Sequence, residues 1–107
     1  MGKYKVEFLP SAWDDLQEIF DYILIDSPKA AENTLERIMN SLRQLEQFPN
    51  SGSYAPDKEL KKYGFRMVIA SPYISFYRFV DGKVFVYHII HGARRYSDLL
   101  KSYIDNV

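Results

Sequence analysis

Apolar and charged residues alternate over residues 3–8, and the spacing between apolar residues lengthens after Pro10. A period of two predicts a short strand with one buried face. Ser11 followed by Asp14 resembles a capping box, and apolar residues then recur every three or four positions, which predicts an amphipathic helix over about 11–25. The apolar positions of this helix are Trp13, Leu16, Phe20, Ile23 and Leu24.

A second amphipathic helix is predicted to begin at Ser27-Pro28 and to end at Phe48-Pro49. Serine is a favourable N-cap, and proline at the first helical position loses no hydrogen bond. The apolar positions of this second helix are Ala31, Leu35, Ile38, Leu42 and Leu45. Because the connection between the two helices is so short, we expect them to form an antiparallel hairpin.

The C-terminal half is predicted to consist mainly of β-strands. Residues 50–63 are rich in Gly, Pro, Ser and Lys, which predicts a loop with one helical turn at 57–62. Three runs rich in β-branched and aromatic residues follow, at 65–70, 73–80 and 84–90. The break at Ser71-Pro72 and the two-residue turn at Asp81-Gly82 predict that these strands form an antiparallel meander.

These elements place the chain in the α+β class. We expect an antiparallel helical hairpin packed on a mainly antiparallel four-stranded sheet, in the order β-α-α-β-β-β, with a short C-terminal helix capped by Ser97. The hairpin should cover one face of the sheet, and the other should be a concave surface that holds Arg66 and Arg78 among tyrosines. A chain of 107 residues fits one domain, so we expect residues 1–107 to form a single domain.

The composition excludes several classes of protein. Hydrophobic residues make up 47% of the chain, enough for a buried core, and there is no cysteine for a disulfide framework or a thiolate metal site. Uninterrupted apolar runs are only a few residues long, so neither a signal peptide nor a membrane span is expected. These features suit a cytoplasmic protein.

The charges are divided unevenly along the chain, although the formal net charge is zero. Residues 11–47 hold eight acids and three bases, whereas residues 58–101 hold nine bases and three acids. Such asymmetry predicts a basic face that meets a polyanionic or acidic partner. The alternative is that these charges only solvate two surfaces of the protein.

The residues that could carry chemistry lie mainly in the predicted strands. Arg66 and Arg78 have aromatic neighbours, which suits binding to single-stranded RNA or to an acidic protein groove. The alternative is that each arginine packs the aliphatic part of its side chain on aromatic rings and keeps its guanidinium in water. His88 and His91 are an odd number of residues apart in an extended run, so they should point to opposite faces and cannot share a metal ion. No nucleophile triad or Gly-rich phosphate loop is legible in the sequence, and we expect no metal and no cofactor.

Several short motifs occur in a characteristic order along almost the whole chain. They are Phe48-Pro49-Asn50-Ser51-Gly52, Gly64-Phe65-Arg66, the run from Tyr73 to Tyr77-Arg78, the Asp81-Gly82 turn and His91-Gly92-Ala93-Arg94. Their order and spacing resemble the RelE/ParE superfamily of bacterial toxins from type II toxin–antitoxin modules. The resemblance is closest to the ParE branch, whose members are often called plasmid stabilisation proteins. It implies a toxin that arrests growth unless it is neutralised.

One activity that the resemblance implies is enzymatic. RelE-like members are metal-independent endonucleases that cut mRNA in the ribosomal A site, where basic side chains stabilise the charge that builds on the reacting phosphate. On this chain Arg66 and Arg94 match basic positions of that site, and His91 or Tyr96 would be the proton-transfer group. With this activity the ribosome and its mRNA would be the target.

The other activity that the resemblance implies is inhibition by binding. Val68 and Ser75 stand where the nuclease branch carries further bases, so we favour a ParE-like toxin that binds DNA gyrase without catalysis of its own. The candidate target contacts are Arg66, Arg78, Arg94 and Arg95. Arg95 departs from the ParE pattern, in which an aspartate is common at this position. A third alternative is a degenerate member that only binds its antitoxin.

All three alternatives imply a cognate antitoxin of the ParD or RelB type. Such antitoxins wrap the toxin with a C-terminal segment that becomes ordered on binding. On this chain we expect an amphipathic helix of the antitoxin in a groove between the helical hairpin and the sheet edge, and acidic residues over the basic face. The complex should be a heterotetramer or larger, and the antitoxin rather than this chain should bind operator DNA.

Overall fold

The chain passes directly from a strand into two helices. In the computed structural model, which describes residues 3–92 and 96–105, these elements are β1 (Lys5–Phe8), α1 (Pro10–Asp26) and α2 (Pro28–Arg43). Both helices begin with a proline, as is common at the first helical position. Ser27 ends α1 and caps α2, because its hydroxyl accepts a hydrogen bond from the N–H of Ala30 at 3.1 Å. The predicted antiparallel hairpin is confirmed.

The predicted capping box at the start of α1 is absent. Leu9 is the N-cap residue of α1, and no side chain caps this end of the helix. The hydroxyl of Ser11 instead donates to the carbonyl of Tyr87 and accepts from the hydroxyl of Tyr103. Because α1 packs against the sheet, the hydroxyl of Ser11 bonds to partners distant in sequence and does not cap its own helix.

The C-terminal half contains the predicted meander and one further short strand. Its elements are β2 (Ser53–Tyr54), α3 (Lys58–Lys62), β3 (Arg66–Ala70), β4 (Tyr73–Val80), β5 (Lys83–His91) and α4 (Tyr96–Asp105). Asp57 caps α3 by accepting hydrogen bonds from the N–H groups of Glu59 and Leu60. Ser97 lies inside α4, so its predicted role as a helix cap is wrong.

The sheet has five strands in the order β1-β5-β4-β3-β2. Only β1 and β5 run parallel, with Lys5 opposite Lys83, and the other neighbours are antiparallel. The α+β class and the mainly antiparallel sheet are therefore confirmed, but the predicted count of four strands is wrong. The additional strand, β2, has two residues, too few to produce a period in the sequence.

Both faces of the sheet are covered by helices. The hairpin covers one face, where the largest fully buried side chains include Ile38, Leu42, Leu45 and Tyr77. On the other face α3 and α4 bury a second cluster that contains Leu60, Phe65, Phe76, Leu100 and Ile104. The expected open concave surface on that face is therefore wrong, because the C-terminal helix and α3 fill it. No described helix has the length and apolarity that spanning a bilayer requires.

A buried tyrosine fixes the segment that leads into β2. The ring of Tyr77 lies in the core of the hairpin face, and its hydroxyl donates to the carbonyl of Pro49 at 2.8 Å and accepts from the N–H of Gly52 at 3.0 Å. A Cβ atom on Gly52 would lie 2.6 Å from this hydroxyl and 2.7 Å from the carbonyl oxygen of Met67. The close approach of the segment to the sheet therefore requires glycine.

Removing the hydroxyl of Tyr77 should destabilise the protein. In Tyr77→Phe two backbone groups lose their partner, and we expect the free energy of unfolding to fall by about 1–3 kcal/mol. Denaturant unfolding measures this change, and Tyr22→Phe is the matched control because Tyr22 is largely exposed. Equal stabilities of the two variants would contradict this account of the segment.

The same tyrosine should make stability depend on alkaline pH. Burial raises the pKa of Tyr77 above its ordinary value of 10.0, against the opposing effects of the Gly52 N–H and the Arg66 charge. Because the fold disfavours the phenolate, the free energy of unfolding should be at its full value below pH 10 and fall as the pH rises further. Unfolding measured across this range should show a shallower fall for Tyr77→Phe than for the wild type.

Candidate functional site

Arg66 holds the segment before β2 in place. It begins β3 opposite Tyr77, and its Nη1 donates to the carbonyls of Asn50 at 3.0 Å and Gly52 at 2.7 Å. Its guanidinium carbon lies 4.0 Å from the centre of the Tyr54 ring, which is cation–π geometry. Arg66 is half-buried and already has several partners in the fold. It therefore has a structural role beside any role in binding a target.

Arg78 is fixed on the face of the sheet that α3 and α4 cover. Its Nε donates to the carbonyl of Tyr63 at 2.8 Å, and its Nη1 donates to the hydroxyl of Tyr87 at 3.3 Å. The guanidinium carbon lies 5.6 Å from the centre of the Phe65 ring. Arg78 thus rests on aromatic surface, as the alternative interpretation of the sequence expected, but its guanidinium is hydrogen-bonded within the protein and does not lie freely in water.

The two strand arginines do not share a surface. Arg66 pairs with Tyr77 across the sheet, so both side chains point to the hairpin face. Arg78 follows Tyr77 directly on β4 and points to the opposite face. The expectation of one concave surface holding both arginines is therefore wrong. The alternation of side chains along each strand could be predicted from the sequence. Which side chains of β3 and β4 share a face could not, because that depends on how the two strands pair.

The two candidate proton-transfer groups are also separated. His91 ends β5 opposite Tyr73, and their rings meet edge to face at 5.8 Å. Along β4, Tyr73 is four residues from the partner of Arg66, roughly 13 Å. The ring of Tyr96 stacks on that of Phe76 at 4.6 Å, within the cluster on the opposite face.

Two of the candidate arginines, Arg94 and Arg95, lie outside the described residues, as does Ala93 beside them. Among the described candidates, the side chains of Arg66, Arg78, His91 and Tyr96 do not converge on one point.

His88 is used in packing. Its Nδ1 lies 2.7 Å from a carboxylate oxygen of Asp15, and the same oxygen accepts the N–H of Ile89 at 2.9 Å. This contact attaches α1 to β5. Within residues 3–92 and 96–105, no group of three His, Cys, Asp or Glu residues could hold a metal ion.

An open groove of about 310 Å³ runs between α1 and the ends of β4 and β5. Its lining is mainly apolar, with two carboxylates, and consists of Asp15, Glu18, Ile19, Tyr22, Tyr73, Ile89, Ile90 and His91. Tyr22 is 76% exposed, and Ile25 on the next turn of α1 is 88% exposed. The sequence predicted a groove between the hairpin and the sheet edge, and the structure places an exposed apolar one between α1 and the strand ends.

The lysines of α3 form a surface that was not among the predicted sites. Lys58, Lys61 and Lys62 are exposed, and Lys61 Nζ lies 5.3 Å from the centre of the Tyr54 ring. We call the surface formed by these three lysines and Tyr54 the α3 basic surface. The helical turn at 57–62 was predicted, but its placement on the sheet was not, and that placement buries Leu60 and leaves the lysines exposed.

Lys101 of α4 forms ion pairs with the two acids beside this surface. Its Nζ lies 3.1 Å from the carboxylate of Asp57 and 3.8 Å from that of Glu59. The hydrogen bond with Asp57 raises the pKa of Lys101. The N–H of Leu60, together with Lys101, lowers the pKa of Asp57. Both groups are therefore charged at neutral pH, and the pair ties α4 to α3.

Comparison with known proteins decides the family of this chain. The family model for the ParE toxin of the type II toxin–antitoxin system parDE matches residues 6–96. The chain belongs to the ParE toxin family. The resemblance to the RelE/ParE superfamily is thereby confirmed, and the family match extends from β1 to the start of α4.

Solved structures of toxin–antitoxin systems share the fold of this ParE-family chain. One, from the chromosomal ParDE system of P. aeruginosa, has a TM-score of 0.67 at 21% identity and covers 83% of this chain and 96% of that chain. Another, from the RelBE2 toxin–antitoxin complex of Mycobacterium tuberculosis, has a TM-score of 0.61 at 21% identity and covers 83% and 98%. No significant match was found among curated proteins.

Removing the Arg66 side chain should loosen the segment before β2. Arg66→Ala loses two hydrogen bonds from a charged donor, so we expect a loss of about 1–2 kcal/mol of stability and faster hydrogen exchange at the amide of Gly52. Arg43→Ala is the matched control, since Arg43 is exposed on α2 and donates to the side chain of Asn40. Unchanged exchange at Gly52 in Arg66→Ala would refute the structural role of Arg66.

Proposed function

We propose that this ParE-family chain inhibits DNA gyrase by binding it, and that a cognate antitoxin of the ParD type neutralises it in the cytoplasm. The observation that carries the proposal is the match of the ParE toxin family over residues 6–96. ParE-like toxins are the branch of the superfamily that acts without cleaving RNA. The proposal thus assigns the chain an inhibitory protein contact instead of a catalytic site.

The geometry of the described residues supports binding over catalysis. Metal-independent cleavage of RNA needs several cations around one phosphate, where they stabilise the charge of the transition state. Of the candidate catalytic residues that the structure describes, Arg66 points to the hairpin face and donates to backbone carbonyls, His91 pairs with the first residue of β4, and Tyr96 stacks in the cluster on the opposite face. Val68 and Ser75, on the neighbouring positions of β3 and β4, add no charge. A contact surface does not require such convergence.

Arg78 suits a protein contact. Its hydrogen bonds to Tyr63 and Tyr87 fix the guanidinium before a partner arrives, so little side-chain entropy remains to be lost on binding. Arginine is over-represented among interface residues that contribute most of the binding energy. We propose Arg78, Arg94 and Arg95 as target contacts. Arg66 is proposed as a further contact, which requires the target to reach around the edge of the sheet, because Arg66 and Arg78 lie on opposite faces.

Loss of these contacts should weaken gyrase inhibition. We expect Arg78→Ala, and separately the double variant Arg94→Ala with Arg95→Ala, to raise the toxin concentration for half-inhibition of supercoiling by at least about tenfold. Arg43→Ala, on the hairpin, is the matched control and should behave as wild type. Thermal unfolding verifies that each variant is folded.

A parallel assay tests the competing function. If the wild-type chain cut mRNA in the ribosomal A site and left gyrase supercoiling unchanged, gyrase inhibition would be refuted and a RelE-like nuclease established. If it did neither, yet bound its antitoxin, it would be a degenerate member of the family.

The groove along α1 is our proposed site for the antitoxin. Tyr22 and Ile25 are exposed apolar side chains on consecutive turns, an arrangement that receives the apolar face of an amphipathic helix. The remainder of the antitoxin segment would place acidic residues on the basic half of the chain. We propose a heterotetramer or larger complex, with operator binding supplied by the antitoxin.

Truncating the exposed tyrosine of the groove should weaken the complex with the antitoxin. We expect Tyr22→Ala to lower the affinity for the antitoxin encoded by the neighbouring reading frame at least about tenfold. Leu24→Ala is the matched control, because Leu24 is a partly exposed apolar residue of the same helix that does not line the groove. Titration calorimetry measures both affinities, and equal values would rule out this groove as the antitoxin site.

A further inference from the structure

Three lysines share the exposed side of α3. Lys58, Lys61 and Lys62 are spaced by three and four residues, which places them on one face of the helix. Leu60 points the other way and is fully buried among the residues of the second cluster. The core thus anchors α3 in an orientation that presents all three ammonium groups to solvent.

The charge of this surface is not cancelled by neighbouring acids. Asp57 and Glu59 flank the lysines in sequence, but both contact Lys101 from α4. In the part of the chain that the structure describes, no carboxylate lies within ion-pair distance of Lys58, Lys61 or Lys62. The α3 basic surface therefore presents an excess of positive charge.

Aromatic rings lie among these cations. Tyr54 is 45% exposed although Lys61 and Arg66 both lie over its ring, and Tyr63, the residue after α3, is 39% exposed. Cations interleaved with exposed aromatic rings are typical of proteins that track a nucleic-acid backbone. Because cations already lie over the Tyr54 ring, the exposed ring of Tyr63 is the one on which a base would stack. Binding of an acidic peptide would require the lysine charges but not the aromatic rings.

We propose that the α3 basic surface binds the sugar–phosphate backbone of nucleic acid, without preference for sequence. The lysines would meet successive phosphates and release counterions from them. No element of this surface is shaped to enter a groove and read base edges, since α3 has five residues. This contact goes beyond the proposed inhibition of gyrase and requires neither gyrase nor antitoxin.

The test is binding of the full chain to fluorescently labelled DNA of about 20 nucleotides, single-stranded and duplex, between about 50 and 200 mM salt. The test variant combines Lys58→Ala, Lys61→Ala and Lys62→Ala, which are exposed positions where alanine favours the helix. The control variant combines Lys5→Ala, Lys29→Ala and Lys83→Ala, which removes the same charge from exposed positions elsewhere.

We expect the α3 variant to bind DNA at least about tenfold more weakly than the control variant at the lowest salt. The slope of log affinity against log salt should decrease by about two to three, close to one for each phosphate contact removed. Poly-glutamate of equal total charge should compete less well than unlabelled DNA.

Two results would overturn the proposal. One is equal DNA binding by the α3 and control variants, which would make the interaction a property of overall charge. The other is competition by poly-glutamate as strong as that by DNA, which would identify an acidic protein segment as the ligand. Because no assay mixture contains gyrase, either result leaves the proposed inhibition of gyrase untouched.

Discussion

The position of the β2–α3 region depends on one constraint, which is the attachment of residues 49–52 to side chains on the hairpin face of the sheet. The hydroxyl of Tyr77 and the guanidinium of Arg66 together satisfy backbone groups of Pro49, Asn50 and Gly52. With that segment fixed, two residues pair as β2, and α3 can cover the second face of the sheet through Leu60. Strand β2 and the α3 basic surface thus both follow a segment that Tyr77 and Arg66 hold in place.

The alternation of side chains across the sheet separates the candidate cations into two environments. One faces the helical hairpin and holds Arg66, whose charge stabilises the fold around it. The other faces α3 and α4 and holds Arg78, supported by aromatic rings. The fold shared with solved structures from ParDE and RelBE systems does not by itself determine function, which is carried by the side chains placed on the fold.

Much of the architecture was predictable because it follows from periodic patterns. The hairpin, the meander and the Asp81-Gly82 turn, with φ of 52° and 78°, each depend on residues close in sequence. What could not be predicted depends on tertiary contacts. Ser11 bonds across the fold to Tyr87 and Tyr103 instead of capping its helix, and β2 exists only through its pairing with β3. For the candidate site, the sequence led us to propose the arginines, but it did not reveal which of them share a face of the sheet.

The parallel pairing of β1 with β5 has a consequence for synthesis of the protein. Among the described residues, β1 has β5 as its sheet neighbour, so β1 has no partner until the residues of β5 have been translated. Closing so long a loop is slow compared with forming the hairpin or the meander. The complete sheet therefore forms only after the residues of β5 have been synthesised, whereas the helical hairpin can already form on the growing chain.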